Sequence, residues 1–218
     1  MDRQFVSFPK SGRTWIRYIL SQLNCDQLVH FHHDRFEFSD GCKPPHCFST
    51  LDRLVCYAET EKLIYMDRDP RDVMVSLFHQ ITGRFGNVFE YRGNLSEFLR
   101  DDYFGAENLK RFRDMWAIIV GDRGFFRVSY EDCHLNVTSV LRQILRYYEI
   151  EVSQAQLTDA IGRGSLANMK KIEASMQFPE PWLRYRNNSP KVRQGAVGAF
   201  REVLDPADIL FLNEVFGL

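Results

Sequence analysis

The sequence predicts a single three-layer α/β domain, a mainly parallel sheet flanked by helices. Two observations carry this prediction. Short apolar or aromatic runs alternate along the chain with segments of helical period, the pattern of strand–helix–strand crossovers. The 218 residues, 44% hydrophobic and 14% aromatic, are enough to fill one core, so the domain is taken as residues 1–218. In such sheets ligands bind beyond the carboxyl ends of the strands. Function is therefore sought in the loops that follow them.

The elements follow in order. Gln4 to Phe8 is a short apolar run ended by Pro9, and Trp15, Ile16, Ile19, Leu20 and Leu23 then recur at helical spacing. Leu28 to Phe31 reads as a second buried strand, followed by a polar loop containing Gly41, Pro44 and Pro45. Lys62 to Asp67 is a third strand. Asp69 is placed to cap the next helix, Pro70 fits its first position, and Asp72 favours the positive end of its dipole. Its buried face is Val73, Leu77 and Ile81. Gly83 to Gly93 has no clear period and reads as an ordered loop near the site. Ala106 to Val120 is amphipathic through Leu109, Phe112, Trp116 and Ile119, and Phe125 to Tyr130 forms another strand. Asn136 caps a helix with Val137, Val140, Leu141, Ile144, Leu145 and Tyr148 on one face. Short helices are expected over Gln154 to Ile161 and Leu166 to Glu173, with the last starting near Asp205-Pro206.

Charge and composition remove several function classes. The 28 basic and 29 acidic residues nearly cancel, so no global field draws the chain to nucleic acid or an anionic membrane. Any anion site must be local. The apolar run at the N-terminus is too short for a signal segment or a membrane span, so a cytoplasmic location is expected. The five cysteines, Cys25, Cys42, Cys47, Cys56 and Cys133, are odd in number and irregularly spaced, which suits reduced thiols.

Pro9-Lys10-Ser11-Gly12-Arg13-Thr14-Trp15 lies where the first strand turns into the first helix. Free N–H groups of a helix start, a glycine permitting close backbone approach, a lysine and two hydroxyls together make an anion cradle. The loop is P-loop-like in function but is not a Walker A sequence, because Lys10 precedes the glycine. It resembles the 5′-phosphosulfate loop of the sulfotransferases that use 3′-phosphoadenosine 5′-phosphosulfate (PAPS), whose usual form is Pro-Lys-Ser-Gly-Thr-Thr-Trp. The departure is Arg13.

Further segments resemble the same family, most nearly its small, bacterial-type cytosolic members. Arg68 and Ser76, in Arg68-Asp69-Pro70-Arg71-Asp72-Val73-Met74-Val75-Ser76, have the spacing of the pair that holds the 3′-phosphate. An arginine offers a planar fork to phosphate oxygens and a serine adds a neutral donor. Arg193-Gln194-Gly195 resembles the Arg-Lys-Gly loop over that phosphate, with Gln194 replacing the lysine. Trp15 and Tyr130 align with residues around the adenine, and Gly164-Ser165-Leu166 with another adenine-contacting stretch in which the usual phenylalanine is Leu166. The resemblance implies PAPS as donor, 3′-phosphoadenosine 5′-phosphate (PAP) as product, and direct in-line transfer without a metal to a hydroxyl or amine. Lys10, Ser11, Gly12, Arg13, Thr14 and Trp15 would then cradle the donor, with Lys10 and Ser11 at the reacting group.

In-line transfer requires a base for the acceptor and neutralisation of charge on the leaving oxygen. The resemblance places a histidine base after the second strand, where His30, His32 and His33 occur, with His46 further on. His33, followed by Asp34, is preferred. Adjacent strand residues point oppositely unless the loop has begun, so only one of His32 and His33 should face the donor. His32, His33, Cys42, His46 and Cys47 also admit a zinc reading, although their spacing fits no common finger.

Two other functions compete. One is a P-loop phosphoryl-transfer enzyme, which needs a Walker lysine and a magnesium aspartate that the sequence lacks. The other is a nucleotide-binding protein without catalysis, suggested by Arg13, Leu166 and Gln194. The acceptor, a small molecule or a glycan or lipid hydroxyl, has no template in the sequence. Its pocket is expected from His32 to Thr50, Ile81 to Arg92 and Met176 to Lys191, with Phe36, Phe85, Phe89, Tyr91 and Phe178 among the candidate walls. No dimer motif is recognised, and oligomeric state stays open.

Overall fold

The computed structural model describes residues 2–36, 49–176, 178, 183–193 and 195–218. Four parallel strands, β1 (Arg3–Ser7), β2 (His30–His32), β3 (Lys62–Asp67) and β4 (Phe126–Ser129), lie in the order β2-β1-β3-β4. The helices between and after them are α1 (Arg13–Gln22), α2 (Thr50–Cys56), α3 (Pro70–His79), α4 (Gly86–Phe89), α5 (Leu95–Leu99), α6 (Ala106–Arg123), α7 (Tyr130–Tyr147), α8 (Gln154–Arg163), α9 (Leu166–Ala174) and α10 (Pro206–Phe216).

The alternation of side chains along the central strands makes the three layers. Phe5, Ile64, Met66 and Val128 pack with Ile16 and Ile19 of α1, Leu141 and Ile144 of α7 and Leu157 of α8. Val6, Leu63 and Tyr65 face the other way, onto Val73 and Leu77 of α3, Phe112 and Trp116 of α6 and Leu212 of α10. A strand apolar on both faces suits a parallel sheet covered on both sides. The sheet is parallel throughout its described strands, and its carboxyl ends present the loops after β1, β2 and β3 on one edge of the domain.

Several sequence expectations need correction. Leu28 to Phe31 is not a buried strand: Leu28 closes a 3₁₀ turn, and β2 begins at His30, which is exposed at the sheet edge. A short apolar run cannot reveal that it has only one neighbour. Tyr130 does not end β4 but opens α7, because Ser129 caps that helix by accepting from the Asp132 amide. Gly83 to Gly93 is not one loop. A π turn, Gln80–Arg84, carries on from α3 and α4 follows it. α2 and α5 were not anticipated, though each has a side-chain cap in the sequence, Ser49 and the Asn94–Glu97 capping box. Asn136 does cap, accepting from the Ser139 amide at a break inside α7. The loop expected around Gly41, Pro44 and Pro45 lies outside the described residues.

Candidate functional site: a cationic cavity at the strand ends

The loop after β1 is shaped by two left-handed residues, Lys10 (φ 76°) and Gly12 (φ 97°). A side chain at Gly12 would overlap the Tyr130 ring, so glycine is required there for space as well as for backbone conformation. The turn leaves the Lys10 carbonyl to accept from Arg68 Nη1 at 3.1 Å. Lys10 Nζ donates to Gln80 Oε1 at 3.1 Å. Burial, followed by the fields of Lys191, Arg84, Arg193 and Arg68, holds the Lys10 ammonium well below its ordinary pKa. Ser11 is buried within the turn.

The end of β3 supplies the second part. Arg68 lies 4.2 Å over the Tyr130 ring, and its Nη2 donates to the Ala196 carbonyl at 3.1 Å. Its buried Nε has no partner among the described residues. Asp69 caps α3 by accepting from the Arg71 amide, and its own amide donates to Glu131, tying α3 to α7. Asp72 is more than the dipole residue expected from the sequence. Its carboxylate accepts from the Gly198 and Phe200 amides at 2.7 and 3.0 Å and so clasps the 193–200 segment onto α3. Tyr130 Oη adds a bond to the Gly195 carbonyl at 3.1 Å.

Together these elements enclose a cavity of about 580 Å³. Lys10, Gly12, Arg13, Thr14, Trp15, Arg68, Ser76, Tyr130, Leu166, Arg193, Gly195 and His33 all line it. Ser11 adjoins it in the turn, and Gln194 lies outside the described residues. Trp15 is oriented by its Nε1 donating to the Gly164 carbonyl at 2.8 Å, which leaves its ring, and not its N–H, for a ligand. Leu166 is partly exposed and packs under Gly195.

The structure separates the histidines. His33 Nδ1 lies 2.7 Å from the Ser7 carbonyl, which can only accept, so Nδ1 carries the proton. Nε2 therefore presents its lone pair, and Arg13 Nη2 donates to it at 2.7 Å. Burial and then Arg13 keep this imidazole neutral, with its pKa well below the usual 6.5. His32 points elsewhere: Asp34 N donates to its Nδ1, and Nε2 donates to Gln4 Oε1. Burial and the adjacent His30 push it down to about 3. Asp34, gripped by Arg53 at 3.0 Å and Tyr57 Oη at 2.7 Å, fixes the turn that follows His33. His46, Cys42 and Cys47 lie outside the described residues, and no group of three or more metal-ligating side chains occurs among those described.

Arg17, Gln80 and His134 also line the cavity without any signal in the sequence, whereas Arg84, Phe85, Arg186 and Lys191 come from the two segments expected to build the acceptor pocket. Gln80 and Arg84 reach the cavity because the π turn rotates them relative to α3. Of the expected aromatic walls, Phe85 lines the cavity. Phe36 and Phe178 are instead core residues, and Phe89 and Tyr91 pack on the core.

A mostly cationic, mixed polar and aromatic cavity over a helix-start loop marks an anion-binding α/β protein. The model of the sulfotransferase domain matches residues 2–217, and the chain belongs to that family. It is 21% identical over 224 residues to human sulfotransferase 2B1, covering 92% of this chain and 60% of that protein. Rabbit amine sulfotransferase is 24% identical over 230 residues, covering 90% and 73%. Mouse sulfotransferase 4A1 is 30% identical over 106 residues, covering 46% and 36%. The chain thus spans well under two thirds of several curated relatives. Its fold matches mouse sulfotransferase SULT7A1, complexed with PAP, with a TM-score of 0.71 at 18% identity, covering 99% of this chain and 82% of that one. A retinol dehydratase structure with androsterone and PAP gives 0.65 at 16% identity, covering 99% and 79%. Among the described residues no helix is long and apolar enough to cross a membrane.

Proposed function

We propose that the protein transfers a sulfuryl group from PAPS to a hydroxyl acceptor, releasing PAP. The observation that carries this reading is the pairing at one cavity of the Lys10–Thr14 loop with a neutral, correctly oriented His33. Family membership and fold neighbours solved with PAP support it.

The residues present fit the donor. Arg68, with an unpartnered Nε, together with Ser76 and Arg193 would hold the 3′-phosphate. The Trp15 and Tyr130 rings, 6.0 Å apart and steeply inclined, offer apolar surface to the base. The loop amides, Ser11 and Thr14 would face the 5′ end, where a backbone without side chain at Gly12 leaves room. When bound there, the donor supplies an activated sulfuryl group.

His33 Nε2 takes the acceptor proton once Arg13 turns its Nη2 toward the anion, and the Nδ1 bond to Ser7 steadies the imidazolium that forms. Lys10 places its ammonium at the leaving phosphate oxygen, where charge develops. Arg13, the departure from the usual loop, thereby links donor binding to release of the base. The experiment is a calorimetric titration with PAP beside ATP-magnesium. Tight binding of PAP, weakened in Arg68→Ala and Ser76→Ala, supports the reading; binding of ATP-magnesium alone would replace it with phosphoryl transfer.

A further inference from the structure

The cavity carries more positive charge than a sulfuryl donor uses. Its described lining contains eight lysines and arginines and no aspartate or glutamate, in a chain whose formal net charge is −1. Arg68 and Arg193 face one end, where burial and then the field of Arg68 lower the Arg193 guanidinium. Lys10 and Arg13 stand at the phosphate loop. Four anion-directed cations match a 3′-phosphate of roughly −1.5 to −2 and a phosphosulfate of similar charge.

Arg17, Arg84, Arg186 and Lys191 are left over; Arg17 lies 5.4 Å over the Phe31 ring, and Lys191 is near enough to His33 to depress it. Burial first, and then the fields of Arg84 and Arg13, push the Lys191 ammonium down to about 7, with Glu173 opposing them at both Lys191 and Arg84. Arg84 is 5% exposed, with Nη1 donating to the Arg184 and Ser189 carbonyls and a buried Nε that has no partner among the described residues. Arg186 lies 4.7 Å over the Phe85 ring. The neighbouring carboxylate, Glu173, does not line the cavity; it accepts from the Lys191 and Val192 amides and stands behind the wall. Concentrating like charges beside an apolar wall is costly unless a ligand anion relieves it.

We propose that this wall selects an acceptor that carries its own oxyanion, a carboxylate or a phosphate or sulfate ester, on the molecule whose hydroxyl is sulfated. Arg84, Arg186 and Lys191 bind that group, and Phe31 and Phe85 flank the body of the acceptor between it and His33. The inference rests on the donor reading above, because the charge count assigns the remaining cations to PAPS.

The test uses full-length protein saturated with PAP and titrated with matched pairs. The carboxylate pair is 4-hydroxyphenylacetate and its methyl ester; the phosphate pair is 4-hydroxyphenyl phosphate and hydroquinone. In at least one pair the anion is expected to bind about tenfold or more tightly than its neutral twin, the scale of a charged hydrogen bond. Lys191→Met and Arg186→Gln should shrink that advantage to about threefold or less while PAP affinity stays within about threefold of wild type. Arg84 is left intact because it also holds two loop carbonyls. Equal binding of the twins, no binding by either member of both pairs, or an advantage that survives both substitutions overturns the inference alone. Failure of wild-type protein to bind PAP overturns the donor reading and this inference with it.

Discussion

The two ends of the cavity are built differently. At the Arg68 end the protein fixes the cation in place: Arg68 reaches the Lys10 and Ala196 carbonyls and stacks on Tyr130, its buried Nε has no partner among the described residues, and Asp72 secures the covering segment. At the Lys191 end the cations crowd one another, and Lys191 is held near 7 by burial and by Arg84 and Arg13. The first end is organised before any ligand arrives, and preorganised sites lose little on binding. The second gathers like charges that Glu173, behind the wall, opposes but does not cancel at Lys191. The difference teaches that the first end is a fixed holder for one anion and the second is where selectivity resides.

The largest expected effect comes from Lys10, which sits between the two ends. Lys10→Ala should lower kcat by about 10²- to 10³-fold, as removal of a transition-state donor does, with a much smaller loss of PAP affinity. Equal losses in both would make Lys10 a binding residue only. Next comes Gly12→Ala, whose methyl would meet the Tyr130 ring in a left-handed backbone conformation. It should destabilise the fold by about 1–3 kcal/mol in denaturant melts and weaken PAP binding at the same time. A variant with unchanged melting would show that the loop has room the structure does not give it.

Asp72→Asn sharpens the comparison, since the amide keeps one acceptor oxygen for the Gly198 and Phe200 amides and loses the charge. PAP affinity should fall about tenfold, whereas the preference between anionic and neutral acceptors should not change. The smallest effect concerns protons. Burial and the neighbouring cations depress the Lys10 pKa, so an arriving anion raises it, and binding takes up protons. Affinity for PAP should then decline as pH rises through that depressed value, in a window below 10.5. Calorimetry in two buffers of different ionisation enthalpy checks the sign; net proton release would contradict it.

What the sequence could show follows the same division. The phosphate loop, Arg68 with Ser76, and the Arg193 segment are each local in the chain, so a short stretch carries the spacing that chemistry needs. Strands β1 and β3 were legible because they are apolar on both faces. The other end of the cavity joins Arg84 from a π turn with Arg186 and Lys191 from a segment about a hundred residues later, and no local pattern relates them. The π turn itself has no strong sequence signature, so Gln80 and Arg84 could not be aimed in advance. Tyr130 lines the cavity although it opens α7 and does not end a strand, because its ring and hydroxyl, and not its backbone, meet the cavity. His33 lies just past the end of β2, so strand alternation does not decide between the adjacent histidines; the hydrogen bonds of His32 to Gln4 and Asp34 show that His32 turns away.

The central claim is that the preorganised end recognises a 3′-phosphate, and it is tested most directly by comparing PAP with adenosine 5′-monophosphate in one calorimetric series. With Arg68, Ser76 and Arg193 each directed at that group, PAP should bind at least about 100-fold more tightly, equivalent to two charge-assisted hydrogen bonds. Comparable affinities would contradict the account, because the end of the cavity that looks finished would then have no ligand to hold.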